Sequence, residues 1–232
     1  VTGNMRRHDK GVQCAKKIFD EIIDSGELGD VLYIRAYSFG GNDYCNINSG
    51  YSASDEPPPN HFIWPIAPEW IPAELENDYE RFNNTFIHNI NLIRYFCNET
   101  PKISHVDFAK EAGTVALNFG KYNGVFEFGY LQTEKYWKEG IEIYFSRGCL
   151  SIKLPPAFLK NQPASVNLYK DNKEQELKSI NLDTGWSWSF KNQAEYFVNT
   201  VLSGSGTIAS GSEGLEDLRF IENIWKQIVK IN

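Results

Sequence analysis

Apolar positions in this 232-residue chain recur with two periods, and the switches between them mark out its elements. Asp9 can cap a helix on which Val12, Ala15, Ile18, Phe19, Ile22 and Ile23 follow a period of about 3.6, and Ser25-Gly26 stops it. After the turn Glu27-Leu28-Gly29-Asp30, the run Val31–Tyr37 is rich in β-formers and predicts a strand. Residues 40–80 then hold six of the ten prolines, with Trp64 and Trp70 among them. A loop of that length inside a domain is usually functional, and its tryptophans point to docking onto something.

A second helix is predicted over residues 80–97. Beyond it, period-2 alternation broken by Gly, Asn or Pro predicts strands over 103–110, 113–119, 125–130, 140–146, 149–154 and 165–169. Two helices close the chain. The first carries Phe190, Ala194, Phe197, Val198, Val201 and Leu202; the second opens at a Ser212 cap and carries Leu215, Leu218, Ile221, Trp225 and Ile228. Strands in series flanked by helices define an α+β fold, a large, mostly antiparallel β-sheet with helices packed on one face. One domain, 1–232, is expected. Phe126, Phe128 and Tyr130 on one alternating strand suggest that the second face of the sheet is covered as well.

Composition narrows the function classes. A net charge of −7 argues against nucleic acid and anionic membrane as partners, and no window approaches a transmembrane span. Cys14, Cys45, Cys97 and Cys149 form no C-x-x-C pair, and no His stands at zinc-ligand spacing, so no metal site is expected. Reduced, mostly buried thiols in a cytoplasmic protein are the expectation, and the polar, basic first fifteen residues do not read as a secretory signal.

The helix of residues 80–97 holds the candidate chemistry. Phe86, Ile90, Ile93 and Cys97 share a core face, while Asn84, His88, Asn91 and Tyr95 fall within about 60° of one another on the opposite side. His is the natural acid/base group near neutral pH, and a neighbour one turn earlier can fix its tautomer. The same stripe is equally what a solvated helix face looks like. His8, His61 and His105 have no such setting. Gly204-Ser205-Gly206-Thr207-Ile208-Ala209 fits the dinucleotide pattern G-x-G-x-x-A, but it follows a helix rather than a strand, so Gly204 reads as a helix stop.

Four stretches together resemble the Gfo/Idh/MocA oxidoreductases. Asn4-Met5-Arg6-Arg7-His8-Asp9 is similar to the segment after their nucleotide-binding domain, and Ser25-Gly26-Glu27-Leu28-Gly29-Asp30-Val31 to the turn after their connecting helix. Asn84-Thr85-Phe86-Ile87-His88-Asn89-Ile90-Asn91 resembles their catalytic helix, usually D-x-x-x-H-x-x-D, and Gly211–Leu218 the start of their C-terminal helix.

The resemblance implies a C-terminal substrate-binding and oligomerisation domain, with residues 1–8 a remnant of the link to a missing nucleotide-binding domain. The parent would be an NAD(P)-dependent dehydrogenase acting on a hydroxyl of a sugar, sugar derivative or cyclitol. NAD or NADP would sit mainly upstream, and no cofactor is expected in this chain. The family's open sheet face implies a homo-oligomer. By position, His88 matches the acid/base histidine and Asn84 stands where an Asp normally precedes it. Arg6, Asn91, and Tyr136 or Trp137 match substrate-side positions. An Asn can orient an imidazole but cannot stabilise imidazolium as a carboxylate does, which implies a lowered His88 pKa. A family member that has lost catalysis and serves as a binding or assembly module is the alternative.

Overall fold

The computed structural model describes residues 2–41, 56, 65–109, 111–171, 178–204 and 209–230. Among those residues lie one mixed eight-stranded sheet and four α-helices. A 3-10 turn, Met5–His8, precedes α1 (Lys10–Ser25). Asp9 caps α1 by accepting from the amides of Gly11 and Val12, and Gly26 closes it at φ 64°, a left-handed conformation that costs glycine little. The same Asp9 carboxylate accepts from the Ala164 amide at 3.0 Å, tying the helix start to a distant connection.

β1 (Val31–Gly40) lies mid-sheet between β4 (Asn123–Tyr130) and β5 (Trp137–Phe145). The strand order is β2 (Lys102–Ala109), β3 (Ala112–Asn118), β4, β1, β5, β6 (Gly148–Leu154), β7 (Ser165–Lys170), β8 (Lys178–Leu182). Among the described strands only β1 and β4 pair in parallel; the remaining neighbours are antiparallel. The C-terminal ends of β1 and β4 therefore lie side by side, with the start of β5 beside them. β8 is a strand that alternation did not reveal.

The core lies between one face of this sheet and the helices. Ile34, Ala36, Phe126, Phe128, Ile141, Ile143, Leu150 and Ile152 meet Val12, Phe19 and Ile22 of α1, together with α2 (Glu76–Cys97) and α4 (Gly211–Ile228). An aromatic cluster fills the centre: Phe82 lies 5.1 Å from Phe128 and 5.9 Å from Trp225, edge to face. This placement corrects the reading of the sheet's second face. Phe126, Phe128 and Tyr130 all turn toward Phe86 of α2, so they cover nothing on the far side. The far face instead carries exposed Tyr33, Tyr144 and Tyr169, and Arg35 paired with Glu127 and Glu142.

Three local expectations also change. α2 begins at Glu76, four residues early. α4 is capped by Ser210 rather than Ser212, in a reciprocal box with Glu213, and Leu215 and Leu218 point outward. The apolar stripe of α3 (Ser189–Ser203) does not enter the core: Phe197, Val198, Val201 and Leu202 are exposed, and α3 rests chiefly on the Met5–His8 turn. Of the long-loop tryptophans, Trp70 packs on Tyr79 at the core's margin rather than standing free to dock. Trp64 and His61 lie outside the described residues, as does Cys45.

Candidate functional site

The ends of β1, β4 and β5 and the first half of α2 enclose a cleft of two adjoining lobes. One, about 280 Å³, is lined by Arg6, Asn84, His88, Trp137 and Glu139, with Phe158 and Phe190 on its apolar side. The other, about 200 Å³, runs past Arg81, Gly40 and Tyr130. Ser38, Asn84, Thr85 and Trp137 border both. Trp137 can lie there because Gly40 has no side chain: a Cβ on Gly40 would sit 2.9 Å from the indole. The indole N–H donates to the Leu154 carbonyl at 3.2 Å, which fixes the ring.

His88 is partly buried on this wall. Burial, then the nearby Arg6 guanidinium, lower its pKa to about 4, so the imidazole is neutral at neutral pH. Its Nδ1 is buried without a hydrogen-bond partner among the described residues. Asn84, one turn earlier, is exposed at the cleft and does not hold that atom. The orienting contact that an Asn84–His88 pair would supply is therefore not made.

Beneath the lobe lies a polar cluster that alternation did not find. Arg6 Nη2 donates to Glu139 Oε2, Arg6 Nη1 donates to the Pro155 carbonyl at 2.8 Å, and Asn89 Nδ2 donates to Glu139 Oε1 at 3.0 Å. Arg6 and Glu139 are each buried, with 3% of their side chains exposed. Burial pushes the Glu139 carboxyl above its ordinary range, against the opposing pull of Arg6, Asn89 and Trp137.

The structure thus brings Arg6, Asn84, His88 and Trp137 to one cleft and leaves two predicted residues elsewhere. Tyr136 is half exposed and does not line it. Asn91 is 1% exposed and spent on both sides, accepting from Arg7 Nε and donating to Asp217 Oδ2, each at 2.7 Å. These contacts place Asn91 in a clamp with Arg7 and Asp217, outside the lining of either lobe. Glu139 and Asn89 are the residues that sequence reasoning missed. Their signal was weak, since alternation placed the start of β5 at residue 140, one position past Glu139.

For other chemistry, the described residues hold no group of three or more His, Cys, Asp or Glu able to bind a metal. No described helix is long and apolar enough to cross a membrane. Gly204 does end α3 in a left-handed conformation, and residues 205–208 lie outside the described set.

No family model matches the chain, and no curated protein matches it. Solved structures do. A protein from Desulfitobacterium hafniense assigned as an NADPH-dependent oxidoreductase superposes with a TM-score of 0.70 at 13% identity, over 100% of this chain and 63% of its own. A 3-ketoreductase from Actinomadura kijaniata, solved with TDP-benzene and NADP, gives 0.64 at 13% identity, over 98% of this chain and 60% of its own. An aldose–aldose oxidoreductase from Caulobacter crescentus, complexed with glycerol, gives 0.61 at 15% identity, over 99% and 62%. The chain therefore spans about three fifths of the length of the structures it matches. What the chain shares with these three oxidoreductases is the fold.

Proposed function

We propose that this chain is the substrate-binding part of an NAD(P)-dependent oxidoreductase acting on a hydroxyl of a sugar, sugar derivative or cyclitol, and that the two-lobed cleft receives the substrate. The observation that carries this reading is a neutral imidazole, His88, on the wall of a small cavity bounded by Trp137, Ser38, Asn84 and Thr85. Hydroxyl and amide groups suit substrate hydroxyls, and aromatic walls suit the C–H faces of a sugar ring. Removing a proton from a substrate hydroxyl requires an acceptor in hydrogen-bond reach, and a neutral imidazole can serve.

The dinucleotide belongs elsewhere in this reading. The two lobes, about 280 and 200 Å³, lie at or below the small end of ligand pockets and are small for a dinucleotide. NAD(P) would be bound by a part of the parent outside residues 1–232.

One observation favours the second reading, a module that binds without catalysis. With a His88 pKa near 4, protonating the imidazole costs about 3 kcal/mol more than for a free one, and no carboxylate stands at Asn84 to offset that. In a protein carrying the nucleotide-binding part, His88→Ala should lower turnover by roughly 10²–10⁴ if His88 moves the proton. An active parent indifferent to His88→Ala would reject that role. For this chain alone, titration with monosaccharides and inositol should shift the His88 ring signals saturably, and NADH should show no saturable energy transfer from its tryptophans.

Assembly and location follow the same reading. The uncovered sheet face, with Tyr33, Tyr144 and Tyr169 exposed, would pair with another copy, and analytical ultracentrifugation showing only monomer at tens of micromolar would remove that claim. The free thiols of Cys14, Cys97 and Cys149 suit a cytoplasmic protein.

A further inference from the structure

Resting on the reading of the cleft as a substrate site, we infer that Glu139 sets its charge selectivity: by holding Arg6, it makes the cleft accept uncharged polyols and reject sugars that bear a carboxylate or phosphate. Arg6 and Glu139 are the two formally charged residues lining the larger lobe, and they cancel. An arginine recognises a carboxylate by presenting two parallel N–H groups. Arg6 offers little of that fork: it is 3% exposed, both terminal nitrogens already donate, Nη1 to the Pro155 carbonyl and Nη2 to Glu139, and Nε is buried.

A carboxylate entering this lobe would also lie beside the buried Glu139 charge without a counter-ion of its own. Asn89 reinforces the arrangement, since its amide donates to the second Glu139 oxygen and holds the carboxylate on Arg6. The cation that lines the adjoining lobe, Arg81, is already paired with Glu111 at 2.8 Å and lies over the Tyr130 ring. What remains toward the ligand is the polar, uncharged set Ser38, Asn84, Thr85 and neutral His88. Such groups match hydroxyls, which donate and accept at once.

The test pairs probes that differ in charge at one carbon: D-glucose with D-glucuronate, D-galactose with D-galacturonate, and D-mannose with D-mannuronate. Each is titrated into the full chain while the His88 ring and Trp137 indole N–H signals are followed by NMR. The wild-type chain should take the neutral member of a pair at least about tenfold more tightly. Glu139→Gln, which frees Arg6, should gain at least about tenfold for the acid. Arg6→Gln/Glu139→Gln, which buries no lone charge, should return to the neutral preference.

If the wild-type chain takes an acid as tightly as its neutral partner, with His88 and Trp137 shifting, the selectivity proposal falls and the substrate site stands. No shift of either signal with any probe overturns the site and the proposal together. Should Glu139→Gln fail to fold, the wild-type ratio and the double variant decide: an acid preference in either one overturns the proposal.

Discussion

Two adjacent arginines lead into two different kinds of polar cluster. Arg7 enters a clamp in which it donates to Asn91 and Glu213, while Asn91 and Arg94 both donate to the fully buried Asp217. Arg6, one residue earlier, enters the cleft cluster with Glu139 and Asn89. In the clamp, none of Arg7, Asn91, Arg94 and Asp217 has a buried side-chain polar atom left without a partner. In the cleft, Arg6 Nε, His88 Nδ1 and Asn89 Oδ1 all are. Unmet hydrogen bonds cost stability, so a fold tolerates them where something other than stability is selected. The difference separates a satisfied clamp, which joins the Met5–His8 turn to α2 and α4, from the cleft proposed to receive a ligand.

The largest effect should come from breaking the clamp. Asp217→Ala strips Arg94 and Asn91 of their shared acceptor, and removing one partner of a buried pair costs roughly 3–5 kcal/mol. Urea denaturation should show that loss. A loss under about 1 kcal/mol would mean that the clamp is not the structural partner of the cleft that it is taken to be.

The next effect belongs to the cleft and depends on pH. The His88 pKa lies below its unfolded value of 6.5, at about 4. Between those values the unfolded chain binds a proton that the native chain refuses, so stability falls as pH drops through that window and the full loss is present below about 4. The loss is about 3 kcal/mol, and His8, also lowered by burial and by Arg7, steepens it. Denaturation of His88→Gln at pH 7 and pH 4 should show a drop smaller by that amount. An unchanged drop would place the acid sensitivity elsewhere.

A smaller effect links the clamp to α4. Ser210 accepts from the Glu213 amide while Glu213 accepts from the Ser210 amide, and Glu213 also accepts from Arg7. Ser210→Ala should cost about 1 kcal/mol in the same denaturation experiment. Ser212→Ala, at the cap predicted from sequence, should cost less.

Legibility in the sequence followed the range of the interactions. α1 was readable because Asp9 and Gly26 act within a few residues of the backbone they satisfy. His88 was readable as a candidate, but its surroundings were not. α2 is buried on more than one side, with Asn89 and Asn91 each 1% exposed, so a polar stripe could not distinguish clamp from cleft. Glu139 was hidden for a different reason. A glutamate is seldom fully buried, and this one is held by an arginine 133 residues away in sequence. The stripe of α3 misled in the opposite direction: periodicity identifies an apolar face, not what that face meets, and here it meets solvent. Phe126, Phe128 and Tyr130 were correctly grouped on one face, but alternation alone does not say which side the helices occupy.

The smallest expected effect tests the comparison most closely. Asn84 is exposed at the cleft and makes no contact with His88 Nδ1, so Asn84→Ala should change stability by no more than about 0.5 kcal/mol. The same position should nevertheless govern the imidazole. Asn84→Asp places a carboxylate one helical turn from His88, which should raise its pKa by on the order of one unit and be visible in an NMR titration of the ring. In a catalytically competent parent, the same change should increase turnover, because the imidazolium formed by proton transfer would gain a partner. If Asn84→Asp leaves the His88 titration unmoved, the side chain at 84 cannot reach the ring. His88 would then be tuned by burial and by Arg6, rather than from the preceding turn of its own helix.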